Sequence, residues 1–204
     1  MRLPLPSPMV RILLENNCSG TVFAAHTTLR GTGYTFVGWH GTSERAVESI
    51  LAHGFDPTFA GSSAGLDRGI GLYVSRYFKL ADEFSDTATQ AGDQDPITFA
   101  VPTKHGLGGI SAMLRVYVRN FRDLRHGIDY VSGPMIMRGW NRNQNHAQNQ
   151  NQILRQQEIV FRPRVYERLV AIPTTATIER ELFGQHNTDN IQSGVRLGTQ
   201  EFSW

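Results

Sequence analysis

Short apolar runs rich in β-branched and aromatic residues constrain this chain more than any other feature. They cover residues 34–39, 70–75, 113–118, 158–161 and 165–172, with a further short run around 129–134. None exceeds eight residues, which is strand length rather than helix length. The last two, 158–161 and 165–172, are read as a final strand pair. Residues 21–25 (Thr-Val-Phe-Ala-Ala) predict one more strand in the N-terminal segment. Helical spacing is clear in two places. Ala46, Val47, Ile50 and Leu51 share one face, with Thr42 and Ser43 as N-cap candidates and Gly54 as the stop. Phe78, Ala81 and Phe84 share another face, over 77–87. Strands outnumber helices and do not alternate with them, so the pattern predicts an α+β fold and not a doubly wound parallel sheet.

Composition removes several function classes. Apolar residues make up 40% and charged residues 19%, enough for a packed core and too few charges for a disordered polyelectrolyte. A formal net charge of +2 gives no push toward nucleic acid or a membrane surface. No apolar run approaches the ~20 residues a spanning helix needs. One cysteine, Cys18, rules out an intrachain disulfide and a cysteine-based metal site. The opening 14 residues carry Pro4, Pro6 and Pro8 and lack a continuous apolar stretch, a poor signal peptide. The basic residues are 18 Arg against 2 Lys, which fits phosphate recognition, avoidance of lysine modification or an Arg-rich codon bias. Between Asn141 and Gln152, nine of twelve residues are Asn or Gln, too polar to pack and read as a loop.

Three segments carry chemistry. The first is Val37-Gly-Trp-His40-Gly-Thr42, a His at a strand end followed by a Gly that admits close backbone approach. The second is Gly71-Leu-Tyr73-Val-Ser75, followed by the helix that bears Phe84. The third is Gln156-Gln-Glu158 entering an apolar strand. Each alone has an ordinary structural reading: a satisfied His, an aromatic core strand, a solvent-facing Glu.

In order and local sequence the three resemble the catalytic domain of the diphtheria toxin and exotoxin A group of mono-ADP-ribosyltransferases. The resemblance spans roughly residues 34–173 and is strongest over 34–50 and 158–173. In the latter, Glu158, Glu167, Arg168, Ile172 and Pro173 keep the family's spacing, and Leu114 to Val118 and Ser132-Gly-Pro134 also look like family segments. It implies two antiparallel sheets forming an NAD cleft with flanking helices. It also implies an N-terminal extension at 1–33, a catalytic domain at 34–175 and a C-terminal extension at 176–204. His40, Tyr73 and Glu158 are the implied catalytic residues. His40, Gly41, Thr42, Ser49, Tyr73 and Phe84 are the implied NAD contacts, Tyr73 and Phe84 as the two faces of a nicotinamide sandwich. NAD is a substrate, and no metal is required.

Two departures matter. Phe84 stands where the family has a second tyrosine, keeping the stacking face and losing the hydroxyl. Asp56 stands where the family has a basic residue, and a carboxylate beside a pyrophosphate is unfavourable. Arg68 and Arg76 are the candidates to neutralise the phosphates instead. The expected activity is transfer of ADP-ribose from NAD to a protein side chain, with the diphthamide of elongation factor 2 as first guess for the acceptor. NAD glycohydrolysis, poly-ADP-ribose synthesis and an inactive NAD- or ADP-ribose-binding module are the alternatives. The expected partners are NAD and a host or cellular protein, with neither nucleic acid nor membrane. The chain is expected to act as a monomer in a cytosol, directly or after secretion or injection.

Overall fold

A computed structural model describes residues 18–60, 69–82, 111–134 and 157–183. Its elements are α1 (Ser19–Gly31), β1 (Tyr34–Ser43), α2 (Glu44–His53), β2 (Leu72–Ser75), β3 (Ser111–Arg119), β4 (Tyr130–Pro134), β5 (Gln157–Phe161), β6 (Leu169–Thr174) and α3 (Ala176–Phe183). A helical turn at 78–82 and short 3-10 helices at Pro57–Phe59, Phe121–Asp123 and Pro163–Arg168 fill the connections. The fold is α+β. Six strands form one antiparallel sheet in the order β4-β5-β2-β1-β3-β6.

The resemblance implies two sheets, and the pairing shows how far the single sheet departs from that. β4, β5 and β2 form one ladder, and β1, β3 and β6 form another. They meet at a single register pair, Trp39 with Ser75. The seam is tight at Gly38, where a Cβ would sit 2.2 Å from the Ser75 carbonyl oxygen. Only glycine lets β1 approach β2 that closely.

Side chains alternate across the sheet. On one face Leu114, Val116, Ile159 and Phe161 are fully buried, and α2 adds Val47 and Leu51 to the same core. On the other face, Trp39 and Met113 pack with Phe78 and Ala81 of the 78–82 turn. α1 and α3 cover the β1–β3–β6 ladder on this second face. His26 of α1 bonds Tyr117, and Glu179 of α3 bonds Arg115.

Three expectations are corrected. Residues 21–25 are helical, not a strand. Their β-branched residues suggest a strand locally, but Val22, Ala25, His26 and Leu29 are the buried positions, a helical face spaced i, i+3, i+4, i+7. The run 165–172 is a strand only from Leu169; before it Pro163 opens a 3-10 helix that buries Val165 and Tyr166. The last two strands are not partners. β5 lies between β4 and β2, whereas β6 pairs with β3 at the far edge. Pro173, which has no N–H to donate, is tolerated on that edge. Residues 19–31 and 176–183, assigned to extensions, both supply core side chains: Val22, Ala25 and Leu29 from one, Ile178 from the other.

The α2 signals act as expected. Ser43 caps the helix, its hydroxyl accepting from the Ala46 N–H at 3.4 Å, and the Gly54 N–H closes it on the Ile50 carbonyl at 2.8 Å. The 78–82 turn is the start of the helix expected over 77–87, and the remainder lies outside the described residues.

Candidate functional site

His40 and Tyr73 sit on either side of the seam. β1 carries His40 one residue past the Trp39–Ser75 pair, and β2 carries Tyr73 two residues before it. The His40 ring reaches across: Nδ1–H donates to the Tyr73 carbonyl oxygen at 2.9 Å. A carbonyl only accepts, so this bond fixes the proton on Nδ1 and leaves Nε2 as an acceptor while the ring is neutral. Burial pushes the imidazole below its ordinary pKa, and the bond to the Tyr73 carbonyl works in the opposite direction. Burial is the larger influence, so the neutral form is favoured at neutral pH.

Phe55, just past the end of α2, packs edge-on against the His40 ring at 6.1 Å between centroids, and Tyr166 packs against Phe55 at 6.3 Å. Sequence reading missed Phe55 because it follows Gly54 in what looks like a loop. Its signal was a large apolar residue directly after a helix stop, a position that often folds back on the last turn.

Tyr73 is half-buried, and its hydroxyl donates to the Gly69 carbonyl at 3.0 Å. Both ends of the residue are therefore tied down, the ring by Gly69 and the backbone by His40. Glu158 is buried at 5% exposure on β5. It lies opposite Ser75, and Val160 lies opposite Tyr73, so Glu158 and Tyr73 share a face as diagonal neighbours. Such positions are separated by roughly 7–8 Å, within reach of one small-molecule group. The structure thus ties His40 to Tyr73 directly and Glu158 to Tyr73 by register. His40 belongs to the other ladder and, by alternation from Trp39, points to the other face.

The remaining expected contacts are placed as follows. Gly41 follows His40 in β1, paired with Met113. Thr42 is buried opposite Ala112. Ser49 is exposed on α2, its carbonyl accepting from His53 Nδ1 at 3.3 Å. Among the described residues, no hydrogen bond links Thr42 or Ser49 to His40 or Tyr73. Phe84, Arg68, Gln156 and the Asn/Gln run lie outside the described residues. Arg76 directly follows Ser75 and is buried at the seam.

Asp56 has a local task. Its carboxylate accepts from the Thr58 N–H and the Thr58 hydroxyl, both at 2.8 Å, capping the Pro57–Phe59 turn. The backbone bond first and the hydroxyl second hold this carboxyl below its ordinary pKa. Among the described residues, no group of three or more His, Cys, Asp or Glu is arranged to hold a metal ion. No helix of the described residues is long and apolar enough to cross a membrane. No protein-family model matches the sequence, and no curated protein matches it.

Proposed function

We propose that this protein is a mono-ADP-ribosyltransferase that moves ADP-ribose from NAD to a protein side chain. The observation that carries the proposal is that Tyr73 is bonded by His40 through its backbone carbonyl at 2.9 Å and has the buried Glu158 as its diagonal neighbour on the same face. It supports the reading because the sequence resemblance singles out these three residues, which are far apart in the chain.

The chemistry follows from charge. The bond between ribose C1′ and the nicotinamide nitrogen breaks, and its electron pair leaves with nicotinamide. The ribose passes through an oxocarbenium-like state, as in glycoside cleavage. The carboxylate of Glu158 stabilises that positive charge more than it stabilises the ground state. The Tyr73 ring, held at its hydroxyl by the Gly69 carbonyl, offers a flat face to nicotinamide, and the sequence resemblance assigns the second face to Phe84. His40 acts from the opposite face: its Nδ1–H bond to the Tyr73 carbonyl holds the strand that presents the Tyr73 ring. The acceptor side chain then bonds to C1′ and gives up its proton.

The test is incubation of the purified protein with labelled NAD, with and without a eukaryotic cell lysate, following free nicotinamide and label on protein. Label on a discrete band is expected. Nicotinamide release without labelled protein replaces the transferase by an NAD glycohydrolase. No NAD consumption in either tube removes the enzyme reading.

A further inference from the structure

A β-bulge decides which way His40 points. The register of β1 on β3 is regular from Tyr34 to Phe36, shifts between Phe36 and Gly38, and is regular again to Ser43. Val37 is the extra residue. As a result Phe36 and Trp39, three apart, both face the side of Tyr117 and Arg115, while His40 falls in the row of Leu114 on the other side. Without the bulge, Val37 would pair with Val116 and every later residue would change faces. His40 would then share the face of Met113, and Trp39 would enter the face that holds Leu114. A one-residue slip always has this effect on a strand.

Arg115 sits where such a slip would be felt. It is opposite Trp39, and its guanidinium carbon lies 4.0 Å from the centroid of the Phe36 ring. Phe36 in turn packs edge-on against Trp39 at 5.0 Å, so the two rings that bracket the bulge are in contact, and Phe36 lies directly under the cation. Arg115 is held in a network that reaches α3, α1 and β6. Its Nη1 pairs with Glu179 of α3, and its Nε donates to the Tyr117 hydroxyl at 2.9 Å. That hydroxyl bonds His26 of α1 at 2.8 Å, and the Thr174 hydroxyl donates to the second Glu179 oxygen at 2.7 Å. Arg115 is 1% exposed and Glu179 fully buried. An ion pair so deep contributes little net stability, because desolvation offsets the attraction; its better-attested use is to fix one register among several.

We infer that Arg115, held by Glu179, is a positioning residue that pins the β1 bulge and thereby aims His40 at the Tyr73 carbonyl. The kinetic part of this inference rests on the proposed NAD chemistry; the structural part does not. A slipped or mobile bulge releases the Nδ1–H bond, frees the imidazole to exchange tautomers, and misplaces Nε2.

The experiment replaces the pair by apolar residues, Arg115→Met with Glu179→Leu, a change expected to leave the folded state as stable as before or more so. The first readout is the imidazole nitrogen NMR of His40, identified by comparison with His40→Gln. Wild-type protein should show a single species protonated at Nδ1. The double variant should show the Nε2–H tautomer or several exchanging species. The second readout is NAD turnover, expected to fall by about 10²-fold, the scale for a misplaced catalytic group. A His40 spectrum identical to wild type in the folded double variant overturns the inference. If the double variant does not fold, Phe36→Leu takes its place, since it removes the ring under the cation and leaves the ion pair, and the same two spectra decide. If wild-type protein consumes no NAD, the proposed function fails, and the His40 spectra still decide the role of Arg115.

Discussion

The two halves of the sheet are built to different standards. β1 and β3 share nine register pairs and β3 and β6 six, whereas β2 and β5 share four and β4 and β5 five. The longer half has α1 and α3 over one face and encloses a fully buried ion pair, Arg115 with Glu179. The shorter half buries Glu158 but carries the two ion pairs of Asp129 at the rim. Asp129 bonds Arg164, whose side chain is 49% exposed, and lies near Arg125 at 69%. Strand pairing is more extensive in one half, and two of the three candidate catalytic residues, Tyr73 and Glu158, sit on the other. His40 is the exception: it grows from the rigid half and reaches the short half through one hydrogen bond. Under the proposed function, this division would give the site one fixed wall and one that can yield to a substrate.

The largest effect should come from breaking the buried pair on one side only. Glu179→Ala leaves the Arg115 guanidinium buried and unpaired, and it should cost about 3–5 kcal/mol in denaturant unfolding. A loss below ~1 kcal/mol would mean that Arg115 is not stranded in a sealed core when Glu179 is removed. The second effect is kinetic. Glu158→Gln keeps the shape and removes the charge, so NAD turnover should fall by about 10²–10³-fold while NAD binding persists. Nicotinamide release and titration calorimetry measure the two. Normal turnover in that variant would remove Glu158 from the site.

Much of this division is legible in the sequence, and the exceptions have physical causes. β1, β3 and β5 are readable because their apolar runs have strand length and β-branched content. α2 is readable because its cap, stop and apolar face all agree. α1 is misread as a strand because Thr21, Val22 and Phe23 suggest one over three residues, and only the wider spacing to Leu29 shows the helix. The bulge at Val37 leaves no mark in the sequence except Gly38, so the face of His40 cannot be read without the register. The Arg115–Glu179 pair is equally hidden. The residues are 64 apart in the chain, and Glu179 falls in a polar tail that nothing in the sequence marks as part of the core. The motif residues His40, Tyr73 and Glu158 are legible as a set through the resemblance, not through any local pattern.

A third effect separates buried His26 from half-buried His40. Burial, with the nearby charges of Arg115 and Arg30, pushes His26 from 6.5 down to about 4. The unfolded chain therefore binds a proton below pH 6.5 that the folded state refuses until about pH 4. Its contribution to stability is fully present above 6.5 and is lost as pH falls through that window. Thermal unfolding measured from pH 7.5 to about 4 should show a decline that His26→Phe flattens. His40→Gln should flatten it less, since His40 tends the same way but keeps a backbone acceptor that favours its proton. An equal pH slope in wild type and His26→Phe would show that His26 titrates as it does in the unfolded chain.

The smallest effect tests the rim directly. Asp129 accepts from the Arg125 N–H at 2.8 Å and from Arg164 at 2.6 Å. The backbone bond is the main reason that its carboxyl lies below the ordinary value, with the two arginines adding to it. Both guanidiniums are largely solvated, so losing the carboxylate leaves them in water rather than stranded. Asp129→Ala should therefore cost about 1 kcal/mol or less, chiefly through the turn at Arg125. Salt gives the sharper comparison. Raising ionic strength to ~1 M shortens the screening length to about 3 Å and should shrink the Asp129→Ala penalty, while the Glu179→Ala penalty stays nearly constant because no ions reach that pair. If both penalties respond to salt alike, Arg115 and Glu179 are not sealed from solvent, and the contrast between the two halves fails along with the reason for assigning the rigid wall to β1.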